Sequence, residues 1–222
     1  MKKAVALACC LAASAAPLHA QTNPPMSYKY DVTTRDVKLH TQLPIMCDQP
    51  TRGAADTLNA AGANIMLTNV ASIFGSEWIS DSNREDQYIN ILPATIDGYG
   101  SSVTTARTYT YNEEPWWYES YGTIIDSNIY VNDALIYYTQ RTDDAPRQYD
   151  LWCSSTYQGS IGQMADYQSV LLHELGHALG FGHRTDGTQG PCVMAEYLPR
   201  GTLKRTLCTD EVQKLRSAYG TR

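Results

Sequence analysis

The chain has 222 residues, of which 23 are acidic and 17 are basic, so its formal net charge at pH 7 is −6. An acidic balance argues against binding to nucleic acid or to anionic membrane surfaces, because both attract basic proteins. The length suits one domain with a sizeable hydrophobic core and is short for two.

The first twenty residues have the layout of a secretory signal peptide. Two lysines precede an apolar run from Ala4 to Ala16, and cleavage after Ala20 would follow a small residue. This run is too short to span a bilayer, and no later stretch approaches membrane length. A buried N-terminal helix and lipoprotein processing at an early cysteine are alternatives. We predict a signal peptide at residues 1–20 and a single domain at 21–222, secreted to the extracellular space or the periplasm.

Hydrophobic periodicity predicts a chain that mixes strands and helices. The expected strands are 28–43, 73–79, 88–92, 104–111 and 124–131. The expected helices are 54–70, 167–179 and 209–219, with Asp166 capping the second and Gly220 ending the third. Residues 141–165 carry scattered proline and glycine and are expected to be irregular.

The segment Ser169–His183, which reads SVLLHELGHALGFGH, contains three histidines at fixed offsets. Residues four apart lie one above the other on a helix, so His173 and His177 can present two imidazoles to one metal ion. Gly180 can take the left-handed conformation that ends a helix, which lets the chain turn back and bring in His183. Three nitrogen ligands leave one coordination position open, as in catalytic zinc sites.

Glu174 follows the first of these histidines and is not needed as a ligand. Zinc lowers the pKa of a bound water from about 15.7 toward about 7, and a neighbouring carboxylate can take the proton as the water attacks a carbonyl. The same group can then protonate a leaving amine. We therefore predict zinc-dependent hydrolysis of peptide bonds, with Glu174 as the general base and acid.

Met194 lies eleven residues after His183 and is a candidate Met-turn methionine. A bare HExxH motif also arises by chance from two surface histidines on a helix. The added glycine, third histidine and following methionine form the extended pattern typical of metzincins. A methionine of the core is the alternative for Met194.

On these residues the sequence resembles the metzincin zinc metallopeptidases and, within that clan, most resembles the bacterial matrixin-like peptidases. The matching residues are Asp166–His183, Val193, Met194 and, more loosely, Ile124–Asn132. The resemblance implies an α/β (α+β zincin-like) fold: a twisted mixed sheet of about five strands, an active-site helix, a Met-turn and a C-terminal helix. It also implies an upper part at about 28–180, a lower part at about 181–222, and an antiparallel edge strand near Ile129 that pairs with the substrate.

The resemblance also bears on further metal ions. Matrixins commonly bind a second, structural zinc through additional histidines, but only His40 lies outside both the signal peptide and the motif. We therefore predict one catalytic zinc ion. Nothing in the sequence forms a recognisable calcium loop, and a calcium requirement stays open.

Four cysteines follow the signal peptide, an even number that predicts two disulfides in an oxidising compartment. Three pairings are open, and free buried thiols are an alternative. We favour Cys192–Cys208, because a bond closing that short loop would brace the segment after the metal site. Cys47–Cys153 is then the second bond.

Tyr197 is a candidate contact for the substrate or the transition state. Some related metzincins place a tyrosine two residues after the turn methionine, whereas here Glu196 occupies that position and the tyrosine comes one residue later. A wall of the specificity pocket and a packing residue are the alternatives.

The sequence thus predicts a secreted zinc endopeptidase whose partners are protein or peptide substrates, with a monomer as the default state. Two other functions remain open. One is a zinc amidase acting on cell-wall peptide, and the other is a catalytically inactive zincin-fold binding or adhesion protein, against which the intact Glu174 argues.

Overall fold

A six-stranded mixed sheet forms the centre of the structure, a computed structural model that describes residues 25–73, 88–94, 96, 106–114, 119–137, 151–153, 164–184 and 190–222. Its strands are β1 (Tyr28–Lys29), β2 (Thr34–His40), β3 (Met66–Ile73), β4 (Tyr88–Ala94), β5 (Ala106–Glu113) and β6 (Gly122–Asn132). The helices are α1 (Asp48–Ala60), α2 (Tyr167–Ala178) and α3 (Thr209–Tyr219). A small parallel sheet of β7 (Ile136–Tyr137), β8 (Leu151–Trp152) and β9 (Ala165–Asp166) leads into α2.

Some of the segments predicted from the sequence lie within the described residues and others lie outside them. The predicted signal peptide, residues 74–79 of one predicted strand and most of the segment 141–165 lie outside them. Within them, the mixed α/β fold with a sheet of about five strands is confirmed. No helix in these ranges is both long and apolar enough to cross a membrane.

Among the strands that the structure describes, β6 lies inside the sheet and β5 lies at its edge. The strand order is β1-β6-β4-β2-β3 with parallel pairing throughout, and β5 pairs antiparallel with the other side of β6. The prediction of an edge strand near Ile129 is therefore wrong, because Ile129 pairs with Ile91 of β4 and Thr108 of β5. The exposed Arg107 and Glu113 of β5 are side chains that edge strands tolerate.

Helices α1 and α2 pack against each other, so they cover the same face of the sheet. Helix α1 also contacts β3, and α2 also contacts β5 and β6. The core between them is aliphatic, with fully buried leucines on α2 facing isoleucines of the sheet. The buried side chains include Leu58, Leu171, Leu172, Leu175, Ile89, Ile91, Ile124 and Ile129. Helix α2 thus packs against both α1 and the sheet and also lies against the edge strand β5.

The first helix begins earlier and ends earlier than the predicted range 54–70. Pro50 lies in the first turn of α1, where a backbone N–H would have no helical partner anyway, so it does not delay the helix. Gly62 has a φ of 70° and turns the chain out of the helix. The side chain of Asn59 then bonds both the N–H and the carbonyl of Leu67, which fixes the entry into β3.

Helix α3 spans the residues predicted from the sequence and ends before Gly220, whose φ is 83°. It packs where β1 and α2 meet. The hydroxyl of Tyr219 donates to the carbonyl of Leu179 and accepts from the N–H of Tyr30, both at 3.0 Å. The last helix is therefore attached directly to the end of α2.

Two disulfides join distant parts of the chain, Cys47–Cys153 and Cys192–Cys208, the pairing favoured from the sequence. The first connects the start of α1 to the residue after β8 and closes a sequence separation of 106 residues. The second closes a separation of 16 residues and ends at the residue before α3. Each bond therefore fixes the start of a helix.

The long-range disulfide should contribute more to stability than the short-range one. In the chain-entropy account a bond closing about 100 residues contributes about 4.7 kcal/mol, and one closing about 15 residues contributes about 3 kcal/mol. We expect the double variant Cys47→Ala/Cys153→Ala to lose more free energy of unfolding than Cys192→Ala/Cys208→Ala, measured by urea denaturation. Equal losses, or the reverse order, would contradict this account.

Candidate metal centre and active site

A buried carboxylate fixes the start of helix α2. Asp166 is fully buried and accepts hydrogen bonds from the backbone N–H of Ser169 at 2.9 Å and from its hydroxyl at 2.6 Å. Arg205 donates to both carboxylate oxygens, at 2.9 and 2.5 Å. The sequence predicted Asp166 as a cap but not its pairing with Arg205. This ion pair, whose carboxylate is fully buried, ties the segment before α3 to the first turn of α2.

A glycine ends helix α2 and redirects the chain toward the histidines. Gly180 has a φ of 97°, and its N–H donates to the carbonyl of His177 at 2.8 Å. The N–H of Phe181 donates to the carbonyl of Gly176 at 3.0 Å, which completes a Schellman turn. A Cβ on Gly180 would lie 2.0 Å from the carbonyl oxygen of Tyr28, so the approach of the N-terminal segment also requires glycine here.

The three predicted metal-ligating histidines meet at one point. The Nε2 atom of His177 lies 2.9 Å from Nε2 of His173 and 3.1 Å from Nε2 of His183. Zinc holds imidazole nitrogens at about 2.0–2.1 Å, so tetrahedral ligands are separated by about 3.3 Å. Both observed separations are slightly shorter than this spacing, and the three ligand nitrogens all lie within 4.8 Å of one another, so the donor set fits a zinc ion.

Two backbone carbonyls hydrogen-bond the Nδ1 atoms of the first two histidines, on the opposite side of each ring from Nε2. Nδ1 of His173 lies 2.8 Å from the carbonyl oxygen of Val193, and Nδ1 of His177 lies 2.7 Å from that of Phe181. A carbonyl oxygen only accepts, so each Nδ1 must carry the proton. Each Nε2 then presents a lone pair, which is the arrangement that a metal ion requires.

Burial keeps these imidazoles neutral. Burial, together with the neighbouring His177, lowers the pKa of His173 to about 3. Burial also lowers the pKa values of His177 and His183 below their usual range. A histidine must be neutral to bind a metal ion, so the environment favours the ligand form at physiological pH.

The side chain of Glu174 is buried beside the histidines, with 7 % of its surface exposed. Its Oε2 accepts a hydrogen bond of 2.6 Å from the hydroxyl of Thr108 on β5. Burial raises the pKa of Glu174 to about 6, although hydrogen bonds from the side chain and the backbone of Thr108 act in the opposite direction. The sequence had indicated Glu174 but not Thr108, which lies 66 positions earlier.

Met194 is fully buried directly beneath helix α2. A Cβ on Gly176 would lie 2.4 Å from its sulfur atom, so the helix backbone and the methionine are in close contact. The carbonyl of Met194 also accepts from the N–H of Arg184 at 2.9 Å. Met194 thus packs between the helix that carries two histidines and the residue that follows the third.

A third buried carboxylate, that of Glu211, holds the segment around Met194. Glu211 of α3 accepts from the N–H groups of Met194 at 2.7 Å, Val193 at 3.3 Å and Cys208 at 2.8 Å. It is fully buried, and the Cys192–Cys208 disulfide encloses the same segment. The sequence had placed Glu211 only in the first turn of a helix, although glutamate at the third helical position is a known capping signal.

The remaining candidate residues are Tyr197, His40 and the cysteines near Asp210. Tyr197 is 53 % exposed, and within the described ranges its side chain makes no hydrogen bond to the histidines or to Glu174. His40, at the end of β2, accepts from the N–H of Gln42. Cys192 and Cys208 lie close to Asp210, but they offer no thiolate to a metal ion because they form a disulfide.

The contact between Gly176 and Met194 predicts the effect of an added methyl group. Glycine to alanine inside a helix usually stabilises by about 0.5–1 kcal/mol. Gly176→Ala should instead lose about 1–3 kcal/mol through overpacking against the buried sulfur, and it should weaken metal binding.

The matched control is Gly53→Ala in α1, where the added Cβ meets only the flexible end of Gln168. Thermal unfolding and zinc competition with a chromogenic chelator measure both effects. If the two variants behave alike, the contact with Met194 does not constrain the site.

The family of this chain follows from its comparison with known protein families. The sequence profile of the matrixin family matches residues 64–220. No curated protein matches the chain by sequence search. Among solved structures, high choriolytic enzyme 1, a hatching enzyme zinc-protease from Oryzias latipes (medaka fish), aligns with a TM-score of 0.40 and 11 % identity over 89 % of this chain and 96 % of that one. The family match covers most of the chain, which therefore belongs to the matrixins and is a metzincin zinc metalloendopeptidase.

Proposed function

We propose that this chain is an exported endopeptidase with one catalytic zinc ion, held by His173, His177 and His183, and with Glu174 as its general base. The observation that carries the proposal is the convergence of three neutral imidazole nitrogens beside one buried carboxylate. Zinc bound there supplies a Lewis acid that polarises a carbonyl and acidifies water.

The part of Glu174 in this reaction is proton transfer. Its carboxylate accepts a proton from the attacking water and then donates it to the amine that leaves when the peptide bond breaks. A carboxyl group with a pKa of about 6 is suited to both steps near neutral pH. Burial also excludes bulk water from competing for the carboxylate oxygens.

The substrate would bind in an extended conformation along β5. The outer side of β5 pairs with no other described strand, and Thr108 of this strand touches Glu174. A peptide added there as a further strand would bring its scissile bond next to the histidines. Tyr197, exposed in the segment after Met194, is the proposed side-chain contact for the substrate or the transition state.

Export is proposed from the signal-peptide layout of residues 1–20 and is supported by the two disulfides. The mature chain, residues 21–222, would form one catalytic domain. Its upper part, about 28–180, contains the sheet and α2, and its lower part, about 181–222, contains Met194 and α3. The enzyme would act outside the cytoplasm, in the extracellular space or a periplasm.

Glu174→Gln tests the mechanism most simply, because it removes the base and keeps the shape of the side chain. We expect kcat on a protein substrate to fall by about 10²- to 10⁴-fold, the usual contribution of acid–base catalysis. Zinc content, measured by mass spectrometry, should stay at one ion per chain, and the Tm should change little.

The control is Asp56→Asn, which removes an exposed carboxylate of α1 and should leave kcat unchanged. Undiminished turnover by Glu174→Gln would refute the proposed role.

A substrate panel separates endopeptidase activity from the two other functions. The wild-type enzyme, loaded with zinc, should cut an unfolded protein at internal sites and create new N-termini that sequencing detects. Hydrolysis of purified cell-wall peptide alone would favour the amidase. Hydrolysis of neither, with zinc bound, would favour a binding or adhesion protein.

A further inference from the structure

The edge strand β5 contributes one side chain that touches the general base directly. The hydroxyl oxygen of Thr108 lies 2.6 Å from Oε2 of Glu174 and 3.1 Å from its backbone carbonyl oxygen. A distance of 2.5–2.7 Å is typical of a hydroxyl that donates to a charged carboxylate. The hydroxyl has one proton to donate, and the shorter contact identifies Oε2 as its acceptor.

The pairing of β5 with β6 explains why Thr108 reaches Glu174. Side chains alternate along a strand, so the half-buried Thr108 points toward α2 while Arg107 and Tyr109 on either side are exposed. Thr108 pairs with Ile129, which is fully buried in β6. The register shift in this ladder comes only later, between Tyr111 and Asn112, so the position of Thr108 is set by regular pairing.

The hydrogen bond to Oε2 limits the positions that the Glu174 carboxylate can take. The backbone of Thr108 also hydrogen-bonds this carboxylate, so Thr108 holds it with two groups. A glutamate that swung freely could itself bind zinc through oxygen at about 2.0–2.2 Å and occupy the open coordination position. The hydrogen bond therefore keeps the carboxylate available as a base and discourages it from becoming a ligand.

We propose that Thr108 is a positioning residue for catalysis, which orients the carboxylate of Glu174 from the edge of the sheet. This inference rests on the proposed role of Glu174 as general base. Thr108 acts through Glu174, so its loss should slow turnover without removing zinc and without weakening substrate binding to a similar extent.

The test compares three variants of Thr108 in the full-length zinc enzyme. Thr108→Val keeps the shape and removes the hydroxyl, Thr108→Ala removes it without bulk, and Thr108→Ser restores it. We expect kcat on a peptide substrate to fall about 10- to 100-fold for Val and Ala, with KM within about threefold, because a misplaced catalytic group typically costs this much. Thr108→Ser should stay within about threefold of wild type.

The control is Thr68→Val on β3. Thr68 is also half-buried, and its hydroxyl donates to the carboxylate of Asp36 at 2.5 Å, so the variant removes the same kind of bond at the far side of the sheet. Its kcat should equal that of wild type. Zinc content and Tm, measured on all variants, provide readouts that do not depend on turnover.

Several results would overturn the inference. These are an unchanged kcat in Thr108→Val and Thr108→Ala, a Thr108→Ser variant as slow as they are, loss of zinc, or an effect confined to KM. Glu174→Gln, measured in parallel, separates the two proposals. If it is inactive while Thr108→Val is normal, only the role of Thr108 fails, and if it is active, the proposed function fails.

Discussion

Two hydrogen bonds to backbone carbonyls determine whether this molecule can hold a metal ion. They fix the protons of His173 and His177 on Nδ1 and direct both Nε2 lone pairs to one point. The carbonyls belong to Val193, beside the buried methionine, and to Phe181, after the end of α2. Neither carbonyl lies in a regular helix or strand, so the fold must place two irregular segments accurately.

Several features near the site hold the segments that contain Phe181 and Val193 in position. Gly180 positions Phe181 through a left-handed turn. The segment around Val193 is held by three N–H bonds to Glu211 and is enclosed by the Cys192–Cys208 disulfide. Buried charges are costly unless they are fully hydrogen-bonded, and the Glu211 carboxylate meets this condition. The sheet contributes on the other side of the site, where β5 brings a hydroxyl to the carboxylate of Glu174.

The local sequence predicts those parts of the site whose geometry depends on helical spacing. The three histidines and Glu174 lie on one helix and the glycine turn that follows it, so the local sequence alone predicts that they come together. The placement of Met194 depends in addition on Glu211 of α3, which is distant in sequence. The edge strand was predicted wrongly because strand order depends on pairing between distant segments, such as Thr108 with Ile129. Thr108 could not be predicted for the same reason, because only this long-range pairing brings it to Glu174. The first helix is shorter than its apolar pattern predicted, because the side chain of Asn59 bonds the backbone of Leu67 where β3 begins.

Zinc K-edge X-ray absorption on the protein loaded with one equivalent of zinc tests the central claim most directly. The account predicts four light-atom ligands, of which three are imidazole nitrogens at about 2.0–2.1 Å. His183→Ala should reduce the imidazole count from three to two. A sulfur ligand, or an imidazole count that does not change in His183→Ala, would contradict the assignment of these three histidines to one catalytic metal ion.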